Sequence, residues 1–132
     1  MDKKVLSLLQ GYLEKSRGKL QVAEKLLASG DYEDAVSRAY YAMYYAATAV
    51  LCLKGKTPKT HQGVKSLFGE YFVAQGEIDK SYALMLKVAK EMREDADYEI
   101  EVVITQDDAQ ESIEQAEKFV QKCKDTVGRY TS

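Results

Sequence analysis

From Ala35 to Leu53, 16 of 19 residues are apolar or tyrosine, and only Ser37, Arg38 and Thr48 interrupt the run. A helix with so little polar surface is stable in water only when other elements surround it. The stretch Ala39 to Leu53 is 15 residues long and contains Thr48, Tyr40, Tyr41, Tyr44 and Tyr45. A membrane span needs about 20 predominantly apolar residues. The segment therefore reads as the central helix of a bundle, apolar on every side, and no membrane association is expected.

The flanking sequence supplies the covering helices. Leu6, Leu9, Leu13, Leu20, Ala23 and Leu27 recur in steps of three and four, with Ser16 filling one gap. That stripe predicts a long first helix ending at Gly30, a residue suited to the left-handed turn after a helix. Asp31 is placed to cap the second helix, which runs to about Leu53 and stops at Lys54-Gly55. Thr60 is placed to cap a third, carrying Val64, Leu67, Phe68, Tyr71 and Phe72 and closed by Gly76. A fourth starts near Asp79, with Met85, Val88, Ala89 and Met92 on its expected core face. The fifth begins at Thr105, with Asp108 three residues on in the capping-box position. Tyr98 to Ile104 alternates like a strand, but a lone strand has no ladder partner. It is expected to be an extended connection packed on the bundle. The fold class is thus all-α, a four- to five-helix up-down antiparallel bundle, with residues 1–132 as one domain.

Composition narrows the function. Lys plus Arg number 19 against 21 Asp plus Glu, a net charge of −2, which lacks the basic excess of a general nucleic-acid binder. The two cysteines, Cys52 and Cys123, form no zinc-ligand spacing, and no disulfide is expected between them. No signal-peptide pattern opens the chain, so a cytoplasmic protein with reduced thiols is expected. The acidic turn Asp107, Asp108 and Glu111 suits a helix N-terminus, and no metal site is expected there.

Arg38 is the anomaly, a guanidinium on the most apolar helix. Asp34 lies one turn before it, and Tyr41 and Tyr45 follow three and seven positions on, so the four form one stripe. One reading is an internal ion pair with tyrosines filling space. The other is a groove in which Arg38 pairs with phosphate and a tyrosine stacks on a base.

The segment Ser37-Arg38-Ala39-Tyr40-Tyr41-Ala42-Met43-Tyr44-Tyr45-Ala46-Ala47 resembles the signature helix of HEPN domains (higher eukaryotes and prokaryotes nucleotide-binding). The resemblance extends through Gly30-Asp31-Tyr32 with Ala35, Lys59-Thr60-His61-Gln62-Gly63, and Arg93-Glu94-Asp95-Ala96-Asp97-Tyr98, from about Leu20 to Phe119. It implies a helical up-down bundle, a homodimer, and a defence or toxin–antitoxin setting with a separate minimal nucleotidyltransferase as partner. Active members are metal-independent ribonucleases whose Arg is followed, after four to six residues, by a His. Arg38 matches that Arg, whereas Met43, Tyr44 and Tyr45 occupy the three positions open to the His, Tyr45 being the usual one. A phenol of pKa about 10 is a poor proton shuttle at neutral pH. The resemblance therefore implies a nucleotide- or RNA-phosphate-binding module at Asp34, Arg38, Tyr41 and Tyr45. It needs no cofactor, and only Arg38 and Tyr45 are candidates for catalysis. A ribonuclease completed by Tyr45 or by a second subunit, and a non-catalytic dimeric scaffold, stay open.

His61 is the sole histidine. If the third helix starts level with the end of the second, His61 lies about 24 Å along the axis from Arg38, out of reach of it. It is expected there in a structural polar cluster with Arg93, Asp97 and Tyr98, anchoring the loop against Asp97.

Overall fold

A computed structural model describes residues 1–132. Its elements are α1 (Lys3–Ala28), α2 (Tyr32–Cys52), α3 (His61–Phe68), α4 (Lys80–Tyr98) and α5 (Gln106–Thr131), with a single π turn, Gly69–Val73, extending α3. The all-α bundle expected from the sequence is the fold observed. Gly30 ends α1 with φ +85°, and its N–H and that of Asp31 close on the carbonyls of Leu27 and Leu26. Thr60, Asp79 and Thr105 cap α3, α4 and α5 through their side chains, and Thr105 and Asp108 form the expected capping box. Asp31 departs from expectation. It precedes α2 without capping it, because its carboxylate accepts the Ser29 hydroxyl at 2.6 Å.

The four long helices alternate in direction. Ser37, early in α2, donates to Asp97, late in α4, at 2.9 Å. At the other end, Lys54 pairs with Glu77 at 2.8 Å, and the Tyr130 hydroxyl donates to the same carboxylate at 2.6 Å. This clamp gathers the end of α2, the approach to α4 and the end of α5.

α2 occupies the centre, with 13 buried residues, among them Ala39, Ala42, Ala46, Ala47 and Ala49 at no more than 1% exposure. Such small side chains let neighbouring backbones approach closely. At one such approach the Ser16 hydroxyl of α1 donates to the Ala42 carbonyl at 2.6 Å. Phe68 and Phe119 close the core from α3 and α5, their rings 5.4 Å apart. Cys52 and Cys123 are free and buried.

Three expectations need correction. α2 is not apolar on every side, because Arg38 is exposed and Tyr41, Tyr44 and Tyr45 are only half-buried. The buried residues of α4 are Leu86 and Ala96. Met85, Ala89 and Met92 are half-buried against the core and, with the exposed Val88, also line a groove of about 510 Å³ between α4 and α5. Helical spacing identified an apolar stripe but could not tell a core face from a surface groove. Finally, of the Tyr98–Ile104 connection only Ile104 packs inward. Ile100 and Val103 are 99% and 77% exposed.

Because α2 is packed at the limit of close approach, Ala46→Leu should lower stability by about 1–3 kcal/mol through overpacking. Urea denaturation followed by circular dichroism would record this as a lower midpoint with native helicity retained.

Candidate functional site

The open edge of α2 follows from its register. Arg38, Tyr41 and Tyr45 recur at steps of three and four, and Tyr44 adjoins them, so the four occupy one side of the helix. α1 borders this strip on one flank. Tyr12 stacks on Tyr45 with ring centroids 6.3 Å apart, and the Lys15 ammonium lies 4.9 Å from the Tyr45 ring centre. Along the strip, Tyr41 lies 6.5 Å from Tyr45 and Tyr44 lies 5.2 Å from it.

The opposite flank holds the largest departure from expectation. His61 does not sit at the end of α2. Its ring stacks on Tyr44 at 4.4 Å, and its Nδ1 is 2.6 Å from the Tyr40 hydroxyl. After a turn at residues 53–55 the segment doubles back along α2, and the five residues Lys56 to Thr60 reach at most roughly 17 Å. α3 therefore starts beside the middle of α2 and retraces its direction. The projected separation of His61 from Arg38 assumed a compact loop, and that assumption fails.

The expected cluster of His61, Arg93, Asp97 and Tyr98 assembles here, but with different pairings. Arg93 and Asp97 pair at 3.0 Å, and the guanidinium lies 5.4 and 5.5 Å from the Tyr40 and Tyr41 ring centres. Tyr98, 72% exposed, is at the rim. His61 is anchored by Tyr40 and not by Asp97, whose carboxylate is taken by Arg93 and Ser37.

Arg38 and Asp34 do not form the internal ion pair of the first reading. Both are exposed, and neither is in an ion pair. An exposed pair one turn apart is worth only about 0.3–0.5 kcal/mol, too little to hold two long side chains together. Asp34 instead borders a shallow hollow with Gly30, Asp31 and Ile104. The predicted stripe thus persists as Arg38, Tyr41 and Tyr45, with Asp34 at its margin.

The hydrogen-bond direction at His61 follows from burial. Tyr40 is 2% exposed, and its hydroxyl has no partner except Nδ1. Were Nδ1 the donor, the phenolic proton would be buried with no acceptor, at a cost of about 1–3 kcal/mol. The phenol therefore donates to Nδ1, and the ring proton of the neutral imidazole resides on Nε2. Nε2 bonds nothing within the chain, yet is not sealed from solvent. Burial raises the Tyr40 phenol well above its ordinary value, which keeps it a donor. Burial, followed by the positive charges of Arg93 and Lys90, lowers the His61 pKa and keeps the imidazole neutral. The strip thus combines exposed cations, aromatic faces and one outward N–H.

A model of the HEPN domain family matches residues 9–126. The chain belongs to the HEPN domain family. A Methanocaldococcus jannaschii protein named "Putative toxin MJ0605" is 36% identical over 94% of this chain and 92% of its own length. A UPF0332 protein of Archaeoglobus fulgidus is also 36% identical, over 89% of this chain and 93% of its own. In fold, the chain is similar to the crystal structure of TT1696 from Thermus thermophilus. The TM-score is 0.77 at 18% identity, covering 89% of this chain and 97% of that one. No helix is long and apolar enough to cross a membrane.

Within this HEPN bundle, sequence reasoning missed Tyr12 and Lys15 as neighbours of the stripe. Both lie off the apolar stripe of α1, and an aromatic there with a lysine three residues on was the available signal. It also placed neither Tyr40 nor Tyr44 beside His61, although they hold the imidazole.

A histidine with a lowered pKa favours the folded state most when neutral. The unfolded chain takes up its proton first as pH falls through about 6.5. The His61 contribution to stability is complete above that pH and is lost as pH drops towards the lower folded value. Thermal unfolding at pH 7.5 and 5.5 should therefore show a larger loss for the wild type than for His61→Phe.

Proposed function

We propose that the open edge of α2 binds the phosphates of RNA or of a nucleotide, and that Arg38, Tyr41 and Tyr45 carry the binding. The supporting observation is that Arg38, on the bundle's central helix, is exposed and has no ion-pair partner. A guanidinium free of carboxylates can take a phosphate in bidentate fashion, and half-buried tyrosine faces beside it can stack on bases. Tyr12 and Lys15 widen the surface with another ring and another cation. With Asp34 at the margin, the edge presents the two cations Arg38 and Lys15.

In this reading the chain is a cytoplasmic, non-catalytic HEPN module. It works as a homodimer in a toxin–antitoxin or defence setting, alongside a separate minimal nucleotidyltransferase. The toxin name of its relatives supports that setting. The strip is open and lies in none of the molecule's larger hollows. Apposing two such strips about a two-fold axis would turn each edge into a cleft. Tyr45 supports a binding role over cleavage, because its ring is engaged by Tyr12 and Lys15 and a phenol rarely shuttles protons at neutral pH.

The test uses a short single-stranded oligoribonucleotide without added metal. Wild type should bind it intact, and Arg38→Ala should weaken binding roughly tenfold or more, the loss expected for one charge-assisted contact. Metal-independent cutting that disappears in Arg38→Ala would make the chain a ribonuclease. If Arg38→Ala altered only oligomeric state or stability, the scaffold reading would stand instead.

A further inference from the structure

The imidazole of His61 is held more firmly than an anchoring role requires. Tyr44 stacks on it at 4.4 Å and Tyr40 at 5.6 Å, while Tyr41 meets it edge-on at 5.8 Å. With Nδ1 taken by the Tyr40 hydroxyl, the only polar atom left to present is Nε2, which carries the proton. We propose that His61 is a second anion-recognition point on this edge, donating Nε2–H to a phosphate oxygen of the ligand that Arg38 engages. This inference rests on the binding role proposed above and extends it to a residue outside the Arg38 stripe.

The chemistry selects the ligand class. An imidazole whose outward nitrogen bears the proton cannot coordinate a metal ion or accept a proton from a ribose hydroxyl through that atom. It can only donate. The charged groups acting on it are Arg93 and Lys90 on the positive side and Glu94 on the negative. The phenols facing it are Tyr40, Tyr41 and Tyr44. Arg93 is fixed by its pairing with Asp97 and lies over the Tyr40 and Tyr41 rings. With Asp97 paired to Arg93 these charges roughly balance, so the preference for an anion comes from the Nε2–H donor itself.

Position links the two contacts. His61 packs against residues 40 to 44, two to six positions beyond Arg38, which is about 3–9 Å of helical rise. A strand crossing Tyr41 could meet both groups with neighbouring phosphates and lay a base between them. Tyr40 becomes a positioning residue, because it acts only by setting which nitrogen holds the proton.

A single histidine makes the test unambiguous. Long-range 15N NMR of the free protein should find the proton on Nε2, and Tyr40→Phe should release that preference. Inorganic phosphate and a hexauridylate should each shift the Nε2 resonance. His61→Phe, which keeps a ring against Tyr44, should weaken hexauridylate binding about tenfold or more, as expected for one lost hydrogen bond to a charged group. A proton on Nδ1 in the free protein would overturn the proposal. So would an Nε2 signal unmoved by both probes. Hexauridylate binding that depends on Arg38 but is unchanged by His61→Phe would remove His61 while leaving the Arg38 reading intact. A phosphate response at Nε2 without hexauridylate binding would do the reverse.

Discussion

The close approach of neighbouring helices to the alanine-rich faces of α2 is the constraint on which the rest of the molecule depends. Ala39, Ala42, Ala46, Ala47 and Ala49 are shielded almost completely from solvent. In one such approach a serine of α1 bonds directly to the α2 backbone. Packing of this kind leaves α2 almost no freedom to rotate. Whatever stands on its remaining side is therefore fixed in direction. The backbone positions of the tyrosines and Arg38 are set because the opposite faces are filled with methyl groups.

Tyrosine suits such an edge because it is two things at once. Its ring replaces the aliphatic side chain that a closed bundle would need, and its hydroxyl keeps the rim compatible with water. The rings also organise each other. Tyr40 and Tyr44 hold His61, Tyr41 touches both Arg93 and His61, and Tyr45 meets Tyr12 from α1. Aromatic contacts thus run continuously from one flanking helix to the other across α2. Tyr40 and Tyr44 are poor acids in this setting, both raised mainly by burial. That favours recognition over proton transfer.

Local chemistry was readable in the sequence wherever a short-range signal sets the outcome. Gly30 as the end of α1, Thr60 and Thr105 as caps, and the Thr105–Asp108 box all follow from neighbouring residues. What depended on tertiary path was not readable. The distance from Arg38 to His61 turned on whether the segment after α2 is compact or retraces the helix, and no residue in it settles that. The sequence left Arg38 either internally paired or facing a groove, because apolar neighbours alone do not say which side of a central helix borders solvent. Met85, Val88, Ala89 and Met92 show the converse, an apolar stripe at helical spacing that lines a groove between α4 and α5. The His61, Arg93, Asp97 and Tyr98 grouping was expected at the far end of α2, whereas Asp97 stands beside Ser37 near its start and the ring beside Tyr40 and Tyr44. Tyr40 was the missing partner.

The central claim is that the uncovered side of α2, bordered by α1 and α3, is the surface that meets RNA. Photocrosslinking of a 4-thiouridine oligoribonucleotide, followed by peptide mapping, addresses it directly. The account predicts adducts confined to the peptides bearing Tyr12 and Tyr41 to Tyr45. Adducts concentrated at Leu84 and Val88 in the α4–α5 groove, or none above background, would contradict it.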